Sequence, residues 1–591
     1  MCGIVGHLGK FNALDAVLNG LEHLEYRGYD SAGIAYAVEN QIFISKEKGR
    51  VSELKKIIKA SSSTLAIGHT RWATHGEVNR VNAHPHSSQC ERFVLVHNGI
   101  IENYQRLKQI YLENYIFKSQ TDTEVIVNLI AYFSQDLSVE EAIRKTMSLL
   151  EGSYACLILD TQQADKIFFI KDKSPLLLGI SSLGVSFASD ITGLIGFAEE
   201  FMPLEDKTFG IATTDSLEIY DIIGLKKETK FKKISVKMED IDKRAYDHFM
   251  LKEIHEQPMM IRKIIDHYFT KEEVRIPERL LHTIRQSDKI NFVACGSSMY
   301  ASYFAKYFFE KLCSIPSEVF CASELVYSTP FITKRPFFIF FSQSGETADC
   351  IAVMKKFKKQ GYPILTITNT IESSMVRLSD YALELCAGKE IAVASTKAYT
   401  AMIVVSAILA RAVHHAKTNL KNNLKAVSLA MERVLENKEV CMRIAKELVL
   451  DRDAFFIGRG IDYWTALEAS LKLKEIAYIH TEAYSSGELK HGPIALITKG
   501  TPVIAIITQE GTNRVTRSNL TETASRGART YVIASKSLAI PEDDVIIPNV
   551  AHYLSGIISA MVCQLIAYYA AVYRGNDVDK PKNLAKSVTV E

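Results

Sequence analysis

The segment INFVACGSS (residues 290–298) decides the fold, because a run of apolar β residues leads directly into a glycine turn and then into helical spacing. The same order returns in AFFIGRGID (residues 454–462). Each is followed by further strand-turn segments, namely FFIFFSQSGET (337–347) and PILTITNT (363–370) in the first case, and PVIAIITQEGT (502–512) and TYVIAS (530–535) in the second. Strands that alternate with glycine turns and helices are typical of a doubly wound parallel sheet. The repetition predicts two tandem domains of one α/β fold.

The chain before these repeats has a different pattern. Residues 2–240 alternate short apolar strands with Gly and Asn turns, and amphipathic spacing predicts helices near 14–23 and 122–133. This indicates an α+β domain, and the Lys-rich stretch KKETKFKK after it is typical of a linker. We predict an α+β domain, a linker, two α/β domains and a polar tail, with the bounds 2–225, 226–245, 246–430, 431–576 and 577–591.

The composition excludes several classes of protein. The 591 residues are 47% hydrophobic and 23% charged, and the net charge is +2 without a long block of one sign. We therefore expect no nucleic-acid partner. The ten cysteines are scattered, without a CxxC pair or a Cys/His cluster at zinc spacing. In so long a chain this favours free thiols in a reducing compartment, so we expect a cytoplasmic protein.

Two apolar stretches, residues 399–413 and 553–573, are either membrane-spanning helices or buried core helices. The second is long enough to span a bilayer. Polar residues interrupt it, however, and the two stretches occupy equivalent places in the two repeats. We interpret both as buried core helices and expect no membrane partner. The chain also opens without the basic and apolar pattern of a signal peptide.

The first residues, MCGIVG, carry a possible nucleophile. Removal of Met1 would leave a thiol and a free α-amine on Cys2, and an α-amine with a pKa near 8 can accept the thiol proton. Taken alone, a cysteine at position 2 is more simply a chance residue behind a retained Met1. Other residues of the domain must decide between the two interpretations.

Four further motifs fit a cysteine that hydrolyses glutamine, although each has a simpler explanation. Arg71 in RWATHG can grip a carboxylate or form a surface ion pair, and Trp72 can lie at a site or in the core. Asn98 and Gly99 in HNGIIEN can form an oxyanion hole or an ordinary Asn-Gly turn. Asp122 in TDTE can hold a substrate ammonium or cap a helix. RGYDSAG (residues 27–33) is a polar turn that could wall the site.

The repeats carry candidate phosphate and acid–base groups. The loops CGSS and SQSGET place several hydroxyl groups after apolar strands, where helix N-termini can bind phosphate. Helix capping would need only one such side chain for each helix. The loops match neither a Walker motif nor GxGxxG, which favours a phosphosugar over a nucleotide. Glu468, Lys472 and Glu475 share one helix face and are either a solvated ion pair or a buried base near the ligand crevice.

Residues 2–240 resemble the N-terminal nucleophile (Ntn) glutamine amidotransferase domain, which has an αββα fold. The resemblance rests on Cys2 and the four motifs in this order. It implies that Cys2 attacks the glutamine amide and that Asn98 and Gly99 stabilise the oxyanion. It further implies the residues that bind or line the glutamine, which are Arg71, Trp72, Thr74, His75 and Asp122.

The repeats, with VASTKAYT (393–400) and the tail DVDKPKNLAKSVTVE, resemble the sugar isomerase (SIS) domains of the glucosamine-6-phosphate synthase family. The resemblance implies that Glu475 moves a proton between C1 and C2, that Lys586 forms a Schiff base, and that His491 assists ring opening from a neighbouring subunit. It implies phosphosugar binding by Ser297, Ser298, Ser342, Gln343, Ser344, Thr347, Ser395, Glu468 and Lys472. The family commonly has Thr in place of Ser297 and Glu in place of Leu378; the first change keeps the hydroxyl.

The resemblance thus implies glutamine-dependent conversion of fructose 6-phosphate to glucosamine 6-phosphate and glutamate, the first step of amino-sugar biosynthesis. It implies a homodimer, and because neither half-reaction transfers electrons, no metal or redox cofactor is expected. Three alternatives stay open. A phosphoribosyl acceptor would call for paired acids after an apolar strand, and asparagine synthesis would call for an SGGxDS loop. The third is a non-catalytic phosphosugar sensor.

Overall fold

The computed structural model describes residues 2–39, 41–59, 62–214, 216–234, 242–271, 273–414 and 419–589. Part of the expected linker, residues 235–241, lies outside the described residues, as does Met1. The chain divides into two compact units. Unit 1 contains residues 1–242 and 587–591, and unit 2 contains residues 243–586.

Unit 1 is a mixed α and β structure. Its strands are β1 (Gly3–Gly9), β2 (Ser31–Val38), β3 (Gln41–Lys48), β4 (Leu65–Arg71), β5 (His86–Ser87), β6 (Phe93–Ile101), β7 (Gly152–Asp160), β8 (Ile167–Asp172), β9 (Leu177–Ser181), β10 (Gly184–Ala188), β11 (Glu200–Pro203), β12 (Thr208–Ala212), β13 (Leu217–Asp221) and β14 (Lys232–Lys233). Its helices are α1 (Ala13–Leu24), α2 (Val51–Ile57), α3 (Tyr104–Tyr111), α4 (Thr123–Phe133) and α5 (Val139–Leu149).

Two antiparallel sheets form the centre of unit 1. One has the strand order β14-β11-β9-β10-β1-β4-β2-β3 and the other β13-β12-β8-β7-β6-β5. Apolar residues of both sheets, among them Ile67, Leu157 and Phe187, form a common buried core. Helix α1 covers β1 and β4 on the outer side of the first sheet, while α4 packs on β6 of the second. The result is four layers, which confirms the predicted αββα class.

The central strands β1 and β4 are buried along their whole length. Most of their residues are apolar or small, apart from His7 in β1 and His69, Thr70 and Arg71 in β4, because a helix covers one face and the second sheet covers the other. At Gly68 an added Cβ would lie 2.6 Å from Val17 and 2.8 Å from Leu21 of α1. Glycine at this position therefore allows the helix to approach the sheet closely, which positions the start of β1.

Unit 2 contains the two predicted repeats. Its strands are β15 (Phe269–Thr270), β16 (Glu273–Val274), β17 (Lys289–Ala294), β18 (Ser317–Cys321), β19 (Pro336–Ser342), β20 (Ile364–Thr368), β21 (Tyr381–Glu384), β22 (Asp453–Gly458), β23 (His480–Ser485), β24 (Pro502–Ile507), β25 (Arg529–Ser535) and β26 (Val545–Ile547). Its helices are α6 (Phe249–Tyr268), α7 (Glu278–Arg285), α8 (Gly296–Phe308), α9 (Ala322–Tyr327), α10 (Ala348–Lys359), α11 (Ser374–Leu378), α12 (Lys397–His414), α13 (Leu420–Glu436), α14 (Glu439–Glu447), α15 (Ile461–Lys472), α16 (Glu510–Ala524) and α17 (Ser555–Tyr573).

Each repeat is a five-stranded, fully parallel sheet. We call β17–β21 with its helices the first copy and β22–β26 with its helices the second copy. Their strand orders are β18-β17-β19-β20-β21 and β23-β22-β24-β25-β26, so both follow the doubly wound order 2-1-3-4-5. This confirms the prediction of two tandem α/β domains of one fold.

The two apolar stretches are helices α12 and α17. Both are long and apolar enough to cross a membrane, but 89% of each apolar window is buried inside the protein. They belong to one core cluster that includes residues of both copies, such as Phe304, Tyr399 and Ile476. Their positions agree with the interpretation of both as core helices.

Candidate active sites

Cys2 lies directly before the central strand β1, and its half-buried side chain faces a cleft of unit 1. The Trp72 backbone N–H donates to the Cys2 Sγ at 3.2 Å, and Sγ lies 3.4 Å from the Trp72 carbonyl oxygen. Burial raises the pKa of the Cys2 thiol, whereas the Trp72 hydrogen bond and the Arg71 guanidinium act in the opposite direction. A thiol held in this way needs a base to become a nucleophile.

Asn98 and Gly99, at the end of β6, line the same cleft. The Asn98 Nδ2 donates to the Cys2 carbonyl oxygen at 3.0 Å, which leaves its second amide hydrogen for another acceptor. Gly99 has a φ of +137°, and an added Cβ would lie 1.9 Å from the Ser153 carbonyl oxygen. Only glycine therefore fits at this position of the cleft.

Arg71 ends β4 and is buried, but its guanidinium binds the loop that follows. Nη1 donates to the Glu77 carbonyl at 3.2 Å, and Nη2 donates to the carbonyls of His75 and Gly76. These contacts shape the loop 72–77. Trp72 and Thr74 of this loop line the Cys2 cleft, while the His75 ring packs edge-on against another aromatic ring, that of Tyr104.

Asp122 occupies the position before α4, yet its side chain does not cap that helix. Its Oδ2 accepts a hydrogen bond of 2.7 Å from the backbone N–H of Ile101, at the end of β6. The carboxylate thus ties the start of α4 to the strand that carries Asn98 and Gly99. Neither Arg71 nor Asp122 is among the residues that line the Cys2 cleft.

Three residues that line the Cys2 cleft were not predicted as site residues, namely Ser174, Pro175 and Thr589, whereas Arg27 lies in the turn that was expected to wall the site. Arg27 belongs to the turn RGYDSAG and donates to the Ser189 carbonyl at 3.1 Å. Ser174 and Pro175 stand in a short connection between β8 and β9. No local sequence signal identifies them, since strand pairing alone brings this connection to Cys2.

In unit 2, the predicted phosphate loop follows β19. The Ser342 Oγ accepts from the Gly345 N–H at 3.0 Å and lies 2.9 Å from the Thr347 Oγ1. The Ser344 Oγ accepts from the Glu346 N–H at 3.2 Å. Thr347 precedes α10 without a side-chain capping bond. These hydroxyls therefore organise the loop rather than cap the helix.

Gly345 determines the path of this loop. Its φ is +66°, and an added Cβ would lie 2.0 Å from the Ser373 Oγ. The turn needs the left-handed conformation that glycine adopts without strain. Gln343 is fixed through its backbone, since its carbonyl accepts from the Asn369 N–H at 3.2 Å.

Ser297 and Ser298 stand in the first turn of α8. The Ser297 Oγ donates to the Glu468 Oε1 at 3.0 Å, so this hydroxyl links the first copy to an acidic residue of the second. The Ser298 carbonyl accepts from the Ser302 Oγ. The structure thus places Ser297 beside the predicted acid–base residues.

Glu468, Lys472 and Glu475 form one ion cluster. The Lys472 Nζ lies 3.5 Å from the Glu468 Oε1 and 2.5 Å from the Glu475 Oε2. The side chains of Glu468 and Lys472 are each 1% exposed, and that of Glu475 is 20% exposed. This excludes the alternative of a solvated helix face. Glu475 lies in a π-helical turn, Leu473–Ala477, an irregularity that is frequent at functional sites.

The cluster shifts the pKa values of its members. Burial and the neighbouring Glu475 raise the pKa of Glu468 to about 7, although Lys472 and Ser297 oppose the shift. Burial lowers the pKa of Lys472, but the carboxylates of Glu468 and Glu475 outweigh it and raise that pKa. One Glu468 oxygen, Oε2, has no hydrogen-bond partner among the residues that the structure describes. Buried carboxyls with such a pKa are typical of proton-transfer sites.

Lys586 of the tail is buried, and its Nζ donates to the Glu390 Oε2 at 2.5 Å. The Ser395 Oγ donates to the same oxygen at 3.3 Å. The other oxygen, Oε1, accepts from the N–H groups of Thr396 and Ala398, each at 3.0 Å. Glu390 therefore holds Lys586 and the N-terminus of α12 together. It is a site residue that the sequence did not indicate.

A second carboxyl, Glu253 of α6, lies next to this group. Its Oε1 accepts from the N–H groups of Ile391 and Ala392, at 2.5 and 3.1 Å. Burial and the charge of Glu390 raise the pKa of Glu253 to about 8, against the effect of the lysines Lys397 and Lys586. Glu390 also contributes to the raised pKa of Lys472, which connects the two charged groups electrostatically.

The tail before Lys586 is anchored by Asp579. Its carboxylate oxygens accept from the N–H groups of Phe249 and Met250, both at 2.9 Å, and its carbonyl accepts from the Val393 N–H. Lys586 is therefore a buried partner of Glu390 rather than a solvated surface charge. His491 lies on the 3-10 helix Glu488–His491 and is exposed.

Comparison with known proteins agrees with this division. A glutamine amidotransferase domain model matches residues 69–196, and an SIS domain model matches residues 283–412 and 447–574. The two SIS matches coincide with the first and second copies.

Curated relatives match from end to end. The glutamine–fructose-6-phosphate aminotransferases (isomerizing) of Listeria innocua and Geobacillus kaustophilus are each 48% identical, over 601 and 600 residues, with 100% of both chains covered. A solved C-terminal domain of the glucosamine-fructose-6-phosphate aminotransferase of Francisella tularensis is 34% identical with a TM-score of 0.53, and covers 57% of this chain and 100% of its own. On this full-length similarity, the chain belongs to the glutamine–fructose-6-phosphate aminotransferase (isomerizing) family.

Proposed function

We propose that the protein transfers the amide nitrogen of glutamine to fructose 6-phosphate and isomerises the product to glucosamine 6-phosphate, with release of glutamate. The observation that carries the proposal is the Cys2 thiol, which accepts the Trp72 N–H in a cleft that Asn98 and Gly99 line. A phosphosugar isomerase alone would not need this second site. The domains are those proposed from the sequence, with bounds 2–225, 246–430 and 431–576, and a catalytic tail, 577–591.

In the glutaminase reaction, the Cys2 thiolate attacks the side-chain amide carbon of glutamine. The negative oxygen of the tetrahedral intermediate is stabilised by the Gly99 N–H and the Asn98 amide. Collapse releases ammonia and leaves a glutamyl thioester, which water hydrolyses to glutamate. Because burial raises the pKa of the thiol, a base is needed, and the α-amine freed by removal of Met1 takes this role. Arg71 and Asp122 orient the glutamine, directly or through the loop and strand that they hold.

In the sugar reaction, the loop Ser342–Thr347 and the first turn of α8 bind the phosphate. After Glu390 accepts its proton, Lys586 condenses with the ketone of the open-chain ketose to a Schiff base with loss of water, and the ammonia then displaces the lysine amine and leaves an imine on the sugar. Glu475 moves the proton between C2 and C1 of the amino sugar, and the buried Glu468 and Lys472 hold it in place. His491 assists ring opening in a homodimer, from the neighbouring subunit. This division of roles follows the family resemblance.

The enzyme is further proposed to act in the cytoplasm. All ten cysteines are unpaired thiols, and the two long apolar helices are buried in the fold. The free thiols suit a reducing compartment, and the buried helices are not available to span a membrane.

Cys2→Ala tests the two-site proposal. We expect loss of at least about 10³-fold of glutamine hydrolysis, since the nucleophile is gone, with isomerisation of the phosphosugar unchanged. Glutamate release and glucosamine 6-phosphate formation are measured separately, the second also with ammonium chloride in place of glutamine. Intact mass of the N-terminus shows whether Met1 is removed. Retained glutamine hydrolysis by the Cys2→Ala enzyme would contradict the proposal.

A further inference from the structure

A group of three potential metal ligands lies in unit 2. It consists of His267, Glu384 and Cys386, whose imidazole nitrogen, carboxylate oxygen and sulfur all lie within 4.8 Å of one another. Within the residues that the structure describes, it is the one group of three or more His, Cys, Asp or Glu donors close enough to share an ion. It belongs to neither of the sites described above.

Two elements of the fold bring the donors together. His267 stands in the last turn of α6, Glu384 ends β21, and Cys386 follows two residues later. The Tyr268 Oη donates to the Glu384 carbonyl at 2.6 Å, so the helix end is already joined to the strand end. The donors therefore lie on a scaffold that needs little ordering to bind an ion.

The segment after β21, which carries Cys386, is also held in a fixed backbone conformation. The Cys386 φ is +52°, a left-handed conformation that is uncommon for cysteine and strained for residues other than glycine. Asn369 holds the next residues: its Oδ1 accepts from the Ala387 N–H at 3.0 Å, and its Nδ2 donates to the Gly388 carbonyl at 2.6 Å. The strained backbone is thus fixed where it carries the thiol.

We propose that His267, Glu384 and Cys386 bind a zinc ion, with water as the fourth ligand. Nitrogen, sulfur and carboxylate oxygen together suit Zn²⁺, whereas Mg²⁺ and Ca²⁺ prefer oxygen alone. The C-terminal end of α6 carries the negative pole of the helix dipole, which favours a cation at this place. On binding, the Cys386 thiol loses its proton to solvent, and the sulfur binds as thiolate.

The ion would connect α6 to the segment 385–390. Glu390, which holds Lys586, stands four residues after Cys386. The sequence contained no sign of this group, because its members are 117 and 2 residues apart along the chain rather than at the spacing of a zinc motif. The inference does not depend on the proposed reaction.

The test uses the full chain without an affinity tag, with Zn²⁺ measured by calorimetry and Co²⁺ by absorption. We expect one tight Zn²⁺ site and a thiolate-to-Co²⁺ charge-transfer band. Loss of a residue that only hydrogen-bonds to a metal ligand already lowers metal affinity about 10- to 100-fold. His267→Ala and Cys386→Ser remove ligands themselves, so each should lower the Zn²⁺ affinity at least as much. His267 is exposed, so its replacement leaves the fold intact.

Two cysteine variants are the matched controls. Cys90→Ser changes an exposed thiol of unit 1, and Cys2→Ala removes the thiol next to the N-terminus, a possible chelator. Both should keep the Co²⁺ band and the tight Zn²⁺ site. The proposal is overturned if wild-type protein binds no Zn²⁺, if Cys386→Ser keeps the band, or if Cys2→Ala removes it.

Discussion

The two α/β copies of unit 2 use one backbone plan for different chemical tasks. In both copies, the backbone turns after the first strand at a glycine with positive φ, +55° at Gly296 and +57° at Gly460. Both helices then end in π-helical turns, Phe309–Cys313 and Leu473–Ala477, 164 residues apart. Each turn is followed by a residue in the left-handed conformation, Ser314 or Tyr478. The helices can therefore be compared position by position.

This comparison shows which residues the fold does not require. Phe304 and Phe308, both fully buried, occupy the places of Glu468 and Lys472. The same helix thus packs with two aromatic rings in the first copy and with an ion cluster in the second. Because apolar residues suffice for the fold, and buried ion pairs seldom add stability, the charges are present for another reason. Proton transfer at the sugar is the reason that we propose.

The loops after β19 and β24, the third strands of the two copies, differ in the opposite sense, because here the first copy carries the groups that suit a ligand. In the first copy, five residues separate β19 from α10, among them the hydroxyl-bearing Ser344 and Thr347, and Gly345 turns the chain. In the second copy, α16 begins three residues after β24. There the buried Asp462, at the place of Ser298, accepts from the Thr508 N–H at 2.8 Å. The second crevice is thus closed by a carboxylate of the protein, which disfavours phosphate there.

The largest effect is expected for Lys472→Met. It leaves the carboxylates of Glu468 and Glu475 buried without their cation, which should destabilise the protein by about 3–5 kcal/mol and abolish glucosamine 6-phosphate formation. Urea denaturation and the coupled assay measure the two effects. Phe308→Leu at the matched position of the first copy should cost only about 1 kcal/mol. Equal losses for the two variants would show that the helices do not differ as described.

A triple variant sharpens this test. Glu468→Leu, Lys472→Met and Glu475→Leu together make the second helix apolar like the first. Since replacing a whole buried ion group by apolar residues is often neutral or stabilising, we expect near wild-type stability without sugar activity. A triple variant as unstable as Lys472→Met would contradict this explanation.

The next effect concerns pH. The pKa of Glu468 is raised to about 7, against about 4.3 for an unfolded Glu, so between these values the folded state holds a proton that the unfolded state has lost. Stability from this group is present below about pH 4.3 and is lost as the pH rises to about 7. Relative to Glu468→Gln, wild type should lose about 3 kcal/mol across this range.

Denaturation curves at several pH values measure this difference. Phe304→Leu, at the matched position of the first copy, has no group that titrates and should keep the pH dependence of wild type. If the stability of Glu468→Gln depends on pH as that of wild type does, the titrating group is another residue.

The smallest effect concerns two glycines that follow the third strands of the two copies. Gly345→Ala forces alanine into a φ of +66° and against Ser373, which should cost about 1–3 kcal/mol and raise the KM for fructose 6-phosphate. Gly511 lies in α16 with open space around it, so Gly511→Ala should stabilise the protein by up to about 1 kcal/mol without changing KM. Melting curves and steady-state kinetics separate the two. A change of KM in Gly511→Ala would mean that the second crevice also binds substrate.

The sequence by itself determined the fold class and much of the site. Apolar strands, glycine turns and helical spacing repeat twice, and these are local properties that any chain with this pattern must satisfy. The spacing of Glu468, Lys472 and Glu475 likewise places them on one helix face, because residues three and four apart share a face of any α-helix. Short motifs and the family resemblance also predicted Cys2, Asn98 and Gly99 as site residues, and all three line one cleft.

Only the tertiary structure decided which partners these residues have. Glu390 holds Lys586 from 196 positions away, Ser297 donates to Glu468 of the other copy, and Asp122 binds the N–H of Ile101 instead of capping its helix. Such pairs depend on how strands and helices pack, and packing brings together residues whose separation along the chain carries no periodic signal. For the same reason, the depth at which Glu468 and Lys472 are buried, and hence their titration, could not be predicted from spacing alone.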